Sequence, residues 1–373
     1  MGVLRMSDWH THVFTSTYTA DVSGACSMMY ELGGMTVLHD PSGCNSTYTT
    51  HDEPRWYDTD SLMFISALDE MSAIMGDDTV LIEDVTKAAA DLHPRFITLC
   101  GASIPHIIAF DFKGVARLLE RKTGIPVLPV ETDGLQSYIG GASKAAIAFL
   151  NRFADRNVMK KERSINLLGV TPIDFSSDEN VDALKKVFTD AGYDVNCIMG
   201  MHSSFEEWQN AWAANVNVAV SAIGRNIAEK MKMPYVEGTP IGSHMTEKLL
   251  EALAATMKDG KNRIAYDLGE EGKLLVVGEE VISKSLACGL AQSLDTCVSV
   301  LYPDPVEGLD EEVLMEKIAA SEAVICDPLF ANVFAGTKAK LIPFPHEGYS
   351  GRIYRKDIPV FCGSSFTLGG LLK

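Results

Sequence analysis

Apolar, β-branched runs that alternate with helical stretches predict an α/β protein built from three Rossmann-like domains with parallel sheets. Three observations carry that reading. First, strand-like runs pass into turn residues and then helical patterns: Thr36–Asp40 into a turn, Arg95–Cys100 into Gly101–Pro105, and Ile125–Thr132 into Asp133–Ser137. Such β-α-β alternation implies parallel strands covered by helices. Second, 373 residues are too many for one ordinary domain, and units of about 100–150 residues give two or three. Third, two charged stretches, Asp155–Arg163 and Lys258–Asn262, interrupt the pattern. Units of 1–158, 159–262 and 263–373 follow, the last with a short tail after residue 346.

Each element has a local reason. Met35-Thr36-Val37-Leu38 is a first strand, and a helix begins near Asp21. Ser164–Val170 is read as a strand, with Ile165, Leu167, Leu168 and Val170 as its apolar residues. A helix follows from Asp178 to Ala191, with Ser177 as its N-cap and Gly192 just past its end. Tyr193–Ile198 is the next strand. Leu274–Val277, a helix over Glu279–Leu294, and Thr296–Leu301 repeat the unit, with later strands at Ala323–Cys326 and Leu341–Phe344. In this architecture the loops after strand C-termini are the place for a site.

Composition narrows the function. Apolar content of 46% and charged content of 22% suit a soluble globular protein. A formal charge of −18, without Lys/Arg clusters, argues against a nucleic-acid partner. No apolar run approaches the roughly 20 residues of a membrane span, and the N-terminus lacks the apolar core of a secretory signal. Eight scattered cysteines point to a reducing cytoplasm rather than a disulfide scaffold. Neither a GxGxxG turn after the first strand nor a GxxxxGK[ST] loop is present, so the chain carries no sign of its own ATP or NAD site.

The segment His39-Asp40-Pro41-Ser42-Gly43-Cys44-Asn45 stands out. A thiol at a turn tip is poorly explained by core packing. Iron–sulfur clusters are held by thiolates on such loops, where backbone N–H groups also meet the sulfurs. A shielded turn cysteine is the alternative.

That segment resembles the H-G-P-x-G-C motif of the nitrogenase component 1 superfamily, and the likeness covers most of the chain. Ser66–Glu70 with Ile74–Asp78, His93–Ile97 with Ser103–Asp111, and Ile125–Gly134 are similar to successive family segments. Ile165–Gly169, Pro234-Tyr235 with Pro240–Gly242, and Gly348–Gly351 extend the match. The resemblance implies an oxidoreductase that takes electrons from an ATP-hydrolysing iron-protein reductase. An iron–sulfur cluster at a subunit interface would receive them and pass them to a substrate between domains. A homodimer or pseudo-symmetric heterodimer is implied, and the acidic surface could guide a docking partner. A non-catalytic scaffold for metal-cluster or tetrapyrrole assembly is the second reading.

The departures are informative. The family places three cysteines per chain around its cluster. Cys44 matches the second; Ser103 occupies the third position, with Cys100 the nearest thiol; and the first falls near Ala20, with Cys26 inside the following helix. Cys44, Cys26 and Cys100 are therefore the candidate ligands, with core packing the alternative for the last two. Two thiolates per chain in a symmetric dimer would satisfy a 4Fe–4S cluster on the two-fold axis; Cys26 with Cys44 is the first choice of pair. Val216 occupies the position of the family's cofactor cysteine, and His346 lies about one residue from its cofactor histidine. A FeMo-type cofactor is not expected. His346 is instead a candidate catalytic proton donor to an organic substrate. His10 and His12 have HxH metal-site spacing, but no strand precedes them. Cys197, Cys288, Cys297 and Cys326 are expected in the core, Cys362 is undecided, and Met28, Met29, Met63, Met71 and Met75 are read as packing.

Overall fold

A computed structural model describes residues 19–45, 52–303 and 311–371, with the side chains of Cys44 and Asn45 outside that description. His10 and His12 also lie outside the described residues. The strands are β1 (Met35–His39), β2 (Leu62–Ile65), β3 (Ile97–Gly101), β4 (Val127–Val130), β5 (Ser164–Val170), β6 (Asp194–Gly200), β7 (Val216–Ala219), β8 (Tyr235–Glu237), β9 (Arg263–Ile264), β10 (Leu274–Val277), β11 (Val298–Leu301), β12 (Ala323–Cys326) and β13 (Lys340–Pro343). They form three sheets, ordered β2-β1-β3-β4, β6-β5-β7-β8-β9 and β11-β10-β12-β13. Every strand pairing is parallel.

Each sheet begins with an inner strand, adds one on its left and returns to the right. The crevice where that direction reverses opens at the strand C-termini. For the first sheet it lies between β1 and β3, for the second between β5 and β7, and for the third between β10 and β12. All seven residues of β5 are buried, and its two polar side chains are hydrogen-bonded: the Ser164 hydroxyl donates to the Lys161 carbonyl at 3.0 Å and Asn166 Nδ2 to the Ala211 carbonyl at 2.8 Å.

The helix Asp21–Met29 is buried along its whole length, packed on the helix Tyr138–Phe153. Glycine permits this approach. A Cβ on Gly24 would stand 2.0 Å from the Tyr138 carbonyl oxygen, and one on Gly141 would stand 1.7 Å from that of Asp21. Around this contact Phe96, Phe149 and Trp208 form one apolar core. A second core spans the middle and last sheets.

Several expectations needed correction. Cys297 is exposed, since the turn around left-handed Asp295 holds it short of β11, which starts at Val298. Met71 and Met75 are exposed rather than packed, on a helix with no buried residue. Met28 and Met29 are buried, and Met63 packs partly against the first core. Cys197, Cys288, Cys326 and Cys362 are buried. The helix read to Ala191 ends at Asp190, with Gly192 at φ +80° just beyond it.

Candidate functional site

Two places gather chemistry. The first is the C-terminal edge of the first sheet. Cys44 lies in the helical turn Ser42–Asn45, directly after β1, and its neighbours Ser42 and Gly43 are exposed. Strand order sets what flanks it. After β2 comes the helix Glu70–Met75, after β3 the helix Ser103–Ile107, and after β4 the loop 131–136. Each carries large apolar side chains in solvent: Met71, Ile74 and Met75, then Ile104 and Ile107, then Leu135. Ile74 is 77% exposed, Ile107 73% and Leu135 71%. Single exposed apolar residues are ordinary, but a series along one edge marks a surface meant to be covered.

Just before the turn, His39 is buried against the Phe110 ring at 4.3 Å, with Nδ1 2.8 Å from Ser66 Oγ. Burial pushes its pKa down to about 4, so it is neutral at ordinary pH.

The structure brings Cys26 and Cys100 together. Both are buried in the first core, at 1% and 0% exposure. The Cys26 side chain hydrogen-bonds that of Cys100, and this contact, followed by burial, pushes the Cys26 thiol well above its usual range. The Cys100 thiol lies 3.7 Å from the Val37 carbonyl, to which it donates. Ligation needs thiolates. Cys44 fits a cluster in that its turn borders open space, a Cβ on Gly43 meeting nothing within 4 Å. Cys26 and Cys100 fit one only if their thiols leave the packed core.

The second place lies where strand-end loops from all three sheets meet. Asp174 follows β5, Glu279 follows β10, His346 follows β13, and Tyr138 comes shortly after β4. All four are buried. The Tyr138 hydroxyl donates to Asp174 Oδ1 at 2.5 Å, and the Thr171 hydroxyl to Oδ2 at 3.2 Å. His346 Nδ1 accepts the Gly348 N–H at 3.0 Å. That leaves Nε2 as the ring's donor, 3.4 Å from Asp174 Oδ1 and without a well-aligned hydrogen bond. His346 is buried, at 7% exposure, rather than on a surface loop. Its backbone N–H is fixed by Asp327 Oδ2 at 2.8 Å.

Beside this group lies a cavity of about 270 Å³, lined by Tyr138, Arg225, Asn226, Glu279, Tyr302 and Tyr349 among others. Glu279 joins two units. Its Oε1 accepts the Ala222 N–H at 2.6 Å, at the start of the helix Ala222–Met231, and its Oε2 accepts Ile282 N–H at 2.8 Å in its own helix. Burial, and then the charge of Asp174, lifts the Glu279 carboxyl to about 8 against those two donors. Arg225 is engaged by Glu280 at 2.6 Å and Glu237 at 3.6 Å. Val216 is buried at the start of β7. Sequence reasoning missed Tyr138, Asp174 and Glu279. The available signal was their place, each in the connection that follows a strand C-terminus.

Comparison with known proteins agrees with this architecture. Residues 22–283 match the family model for nitrogenase component 1 type oxidoreductases. The chain is 26% identical over 280 residues to the nitrogenase iron-molybdenum cofactor biosynthesis protein NifE of Clostridium pasteurianum, covering 69% of this chain and 60% of that protein. It is 22% identical over 312 residues to one subunit of the light-independent protochlorophyllide reductase of Leptolyngbya boryana, covering 80% and 58%. It thus spans 60% or less of the length of these curated relatives. A solved structure described as nitrogenase Cp1 at pH 6.5 superposes with a TM-score of 0.68 at 12% identity, over 100% of this chain and 94% of the other, which shows a shared fold.

Proposed function

The chain belongs to the nitrogenase component 1 type oxidoreductases, and from that premise we propose that it is an electron-accepting component of a reductase system. In this reading an ATP-dependent iron-protein reductase delivers electrons to a 4Fe–4S cluster shared between this chain and a second, identical or pseudo-symmetric, subunit. An organic substrate in the cavity between the three units is reduced, with protons drawn from the buried group around His346. The observation that carries the proposal is the row of exposed apolar side chains on both sides of Cys44. A thiol at the centre of a surface that needs covering is a thiol at an interface. When bound, the cluster would supply single-electron transfer.

The protein's own residues would do the rest. Cys44 would ligate, Met71, Ile74, Ile107 and Leu135 would exclude water from the contact, and Arg225 and Glu279 would face the substrate. Cys26 and Cys100 are the further candidate ligands of the same cluster. The acidic surface would favour a reductase with a basic docking face. No helix among the described residues is long and apolar enough to cross a membrane. The reading places the protein in the cytoplasm, where thiols stay reduced and able to ligate.

Anaerobic purification tests the proposal. The protein should be brown and contain iron, and Cys44→Ala should remove both; colour that survives that substitution defeats the ligand assignment. Cys26→Ala and Cys100→Ala sort ligand from core, since loss of iron marks a ligand and loss of stability with iron retained marks packing. The likeness to a protein named for cofactor biosynthesis favours a second reading, a scaffold on which a cluster or tetrapyrrole is assembled. Reductase- and ATP-dependent turnover supports the enzyme; stoichiometric transfer of a bound cluster without turnover supports the scaffold.

A further inference from the structure

The geometry points to Glu279 as the acid of the cavity between the three units, the group that hands a proton to the bound ligand, with His346 and Tyr138 acting one step behind it on Asp174. The assignment rests on the reading that a ligand to be reduced occupies that cavity.

Position separates the two candidates. Glu279 lines the cavity, whereas His346 is not among its lining residues and Tyr138 and Tyr349 are. Chemistry separates them further. With Nδ1 accepting the Gly348 N–H, His346 has one ring proton to offer, on Nε2, which lies 3.4 Å from Asp174 Oδ1 without a well-aligned hydrogen bond. Giving it away would leave an imidazolate. His346 is thus suited to hold Asp174, a positioning role.

Glu279 is built the other way. Each of its oxygens accepts one backbone N–H, and each keeps a second lone pair, so one oxygen can carry a proton without breaking either bond. Six groups act on it or line the same cavity: Asp174 after β5, Arg225 on the helix Ala222–Met231, its neighbour Glu280 and the Tyr138 ring act on it, and the rings of Tyr302 and Tyr349 line the cavity. The only cation among these six, Arg225, is already held by Glu280 and Glu237, and nearby Lys284 is held by Glu280. A buried carboxyl whose nearest cation acts on it only through space, its ion pairs being made with other carboxylates, favours its neutral form. Its shift to about 8 places it near working pH, where an acid is most effective. Two neighbouring carboxyls in opposed surroundings commonly divide such roles.

The step balances. Electrons from the iron-protein reductase reach the ligand, the Glu279 O–H bond breaks, and a bond from hydrogen to the ligand's reduced atom forms. The carboxylate left behind keeps the Ala222 and Ile282 N–H groups and lies at two helix N-termini, which favour negative charge. Solvent at the cavity mouth restores the proton. The ligand class is a small organic molecule that presents a carbonyl or imine acceptor to Glu279 and fits about 270 Å³.

Two measurements on the whole chain test this without reductase or cluster. In protein carrying 13C-labelled glutamate carboxyls, one buried signal should titrate near pH 8, vanish in Glu279→Gln, and titrate about one pH unit lower in Asp174→Asn. Asp174→Asn identifies the signal if Glu279→Gln does not fold. A neutral acceptor, 2-pyrrolidinone, used as the probe should bind about tenfold more weakly at pH 9 than at pH 7, because the neutral acid is depleted above its pKa. A Glu279 signal already ionised at pH 6, or equal probe binding at both pH values, overturns the assignment. Absence of iron or of turnover would sink the electron-transfer reading and leave these titrations untouched, so the two fail separately.

Discussion

Replacing Arg55 with methionine should release the segment that follows the Cys44 loop. Arg55 is 6% exposed, and its guanidinium is shared among partners from three places in the chain. Nε and Nη1 meet Glu53 and Glu31, each at 2.7 Å, and Nη2 donates to the Ser27 carbonyl at 2.7 Å and its hydroxyl at 3.1 Å. Nη1 also lies 3.4 Å from the Gly200 carbonyl at the end of β6. One side chain therefore fastens residues 52–61 to the first helix and to the middle sheet. Methionine keeps the apolar stem and removes the charge, which leaves Glu53 buried and without its cation. Breaking a buried pair in this way costs about 3–5 kcal/mol. At roughly 1.4 kcal/mol per decade, the local opening equilibrium rises about 10²- to 4 × 10³-fold. Amide hydrogen exchange should show that acceleration in 52–61 and in the C-terminal turn of the first helix. Adding Glu53→Gln should recover part of it, since the stranded charge is then gone. Exchange rates in 52–61 that stay within threefold of wild type would refute the reasoning.

Three other outcomes are expected. Gly141→Ala must displace the Asp21 carbonyl that its Cβ would meet at 1.7 Å, so thermal melts should show a loss of about 3 kcal/mol or more. His39, neutral in the fold down to about 4 but protonated below 6.5 when unfolded, gives stability that is complete above pH 6.5 and lost as pH falls toward 4. The loss amounts to about 3 kcal/mol, and urea titrations of His39→Asn across that window should be flatter by this amount. Ile74→Asp, placed on the exposed row beside Cys44, should leave circular dichroism unchanged and shift sedimentation toward the monomer.

The fold was largely legible because each buried parallel strand is a short apolar run closed by turn residues. Leu274–Val277 and Ala323–Cys326 are found at the expected residues. Other ends moved by a residue or two, as at β11 and β13, where extended backbone continues past the regular ladder; Phe344 still donates its N–H to the Cys326 carbonyl at 2.8 Å. Met71 and Met75 misled because apolar residues at helical spacing look alike whether they face a core or an interface. The candidate site was less legible. Cys44 stood out by its turn, but the contact between Cys26 and Cys100 joins residues distant in sequence and follows from the stacking of the first helix on β3. Asp174 and Glu279 carry no local motif. Their pairing exists only because the second and third sheets present their C-terminal edges to the same space.

That convergence also ties the two places together. The loop after β4 carries Leu135 at the exposed edge and, within three residues, Tyr138 in the cavity wall. Its course is fixed from inside. Buried Asp21 accepts the N–H groups of Asp133 at 3.0 Å and Gly134 at 2.8 Å, and its own N–H donates to the Gln136 carbonyl at 2.8 Å. The Thr19 carbonyl accepts the Tyr138 N–H at 3.2 Å, and the Thr19 N–H reaches the Gly348 carbonyl at 3.1 Å, two residues past His346. Residues 19–21 therefore hold the β4 loop and the His346 turn in one register, and the helix they start contains Cys26. A subunit settling on Leu135 would press on the same backbone that positions Tyr138 against Asp174. In the proposed assembly, covering the edge and ordering the cavity would in this way be one mechanical event. It would give the proposed assembly a physical reason to take up electrons at an interface and use them in a cavity only a short loop away.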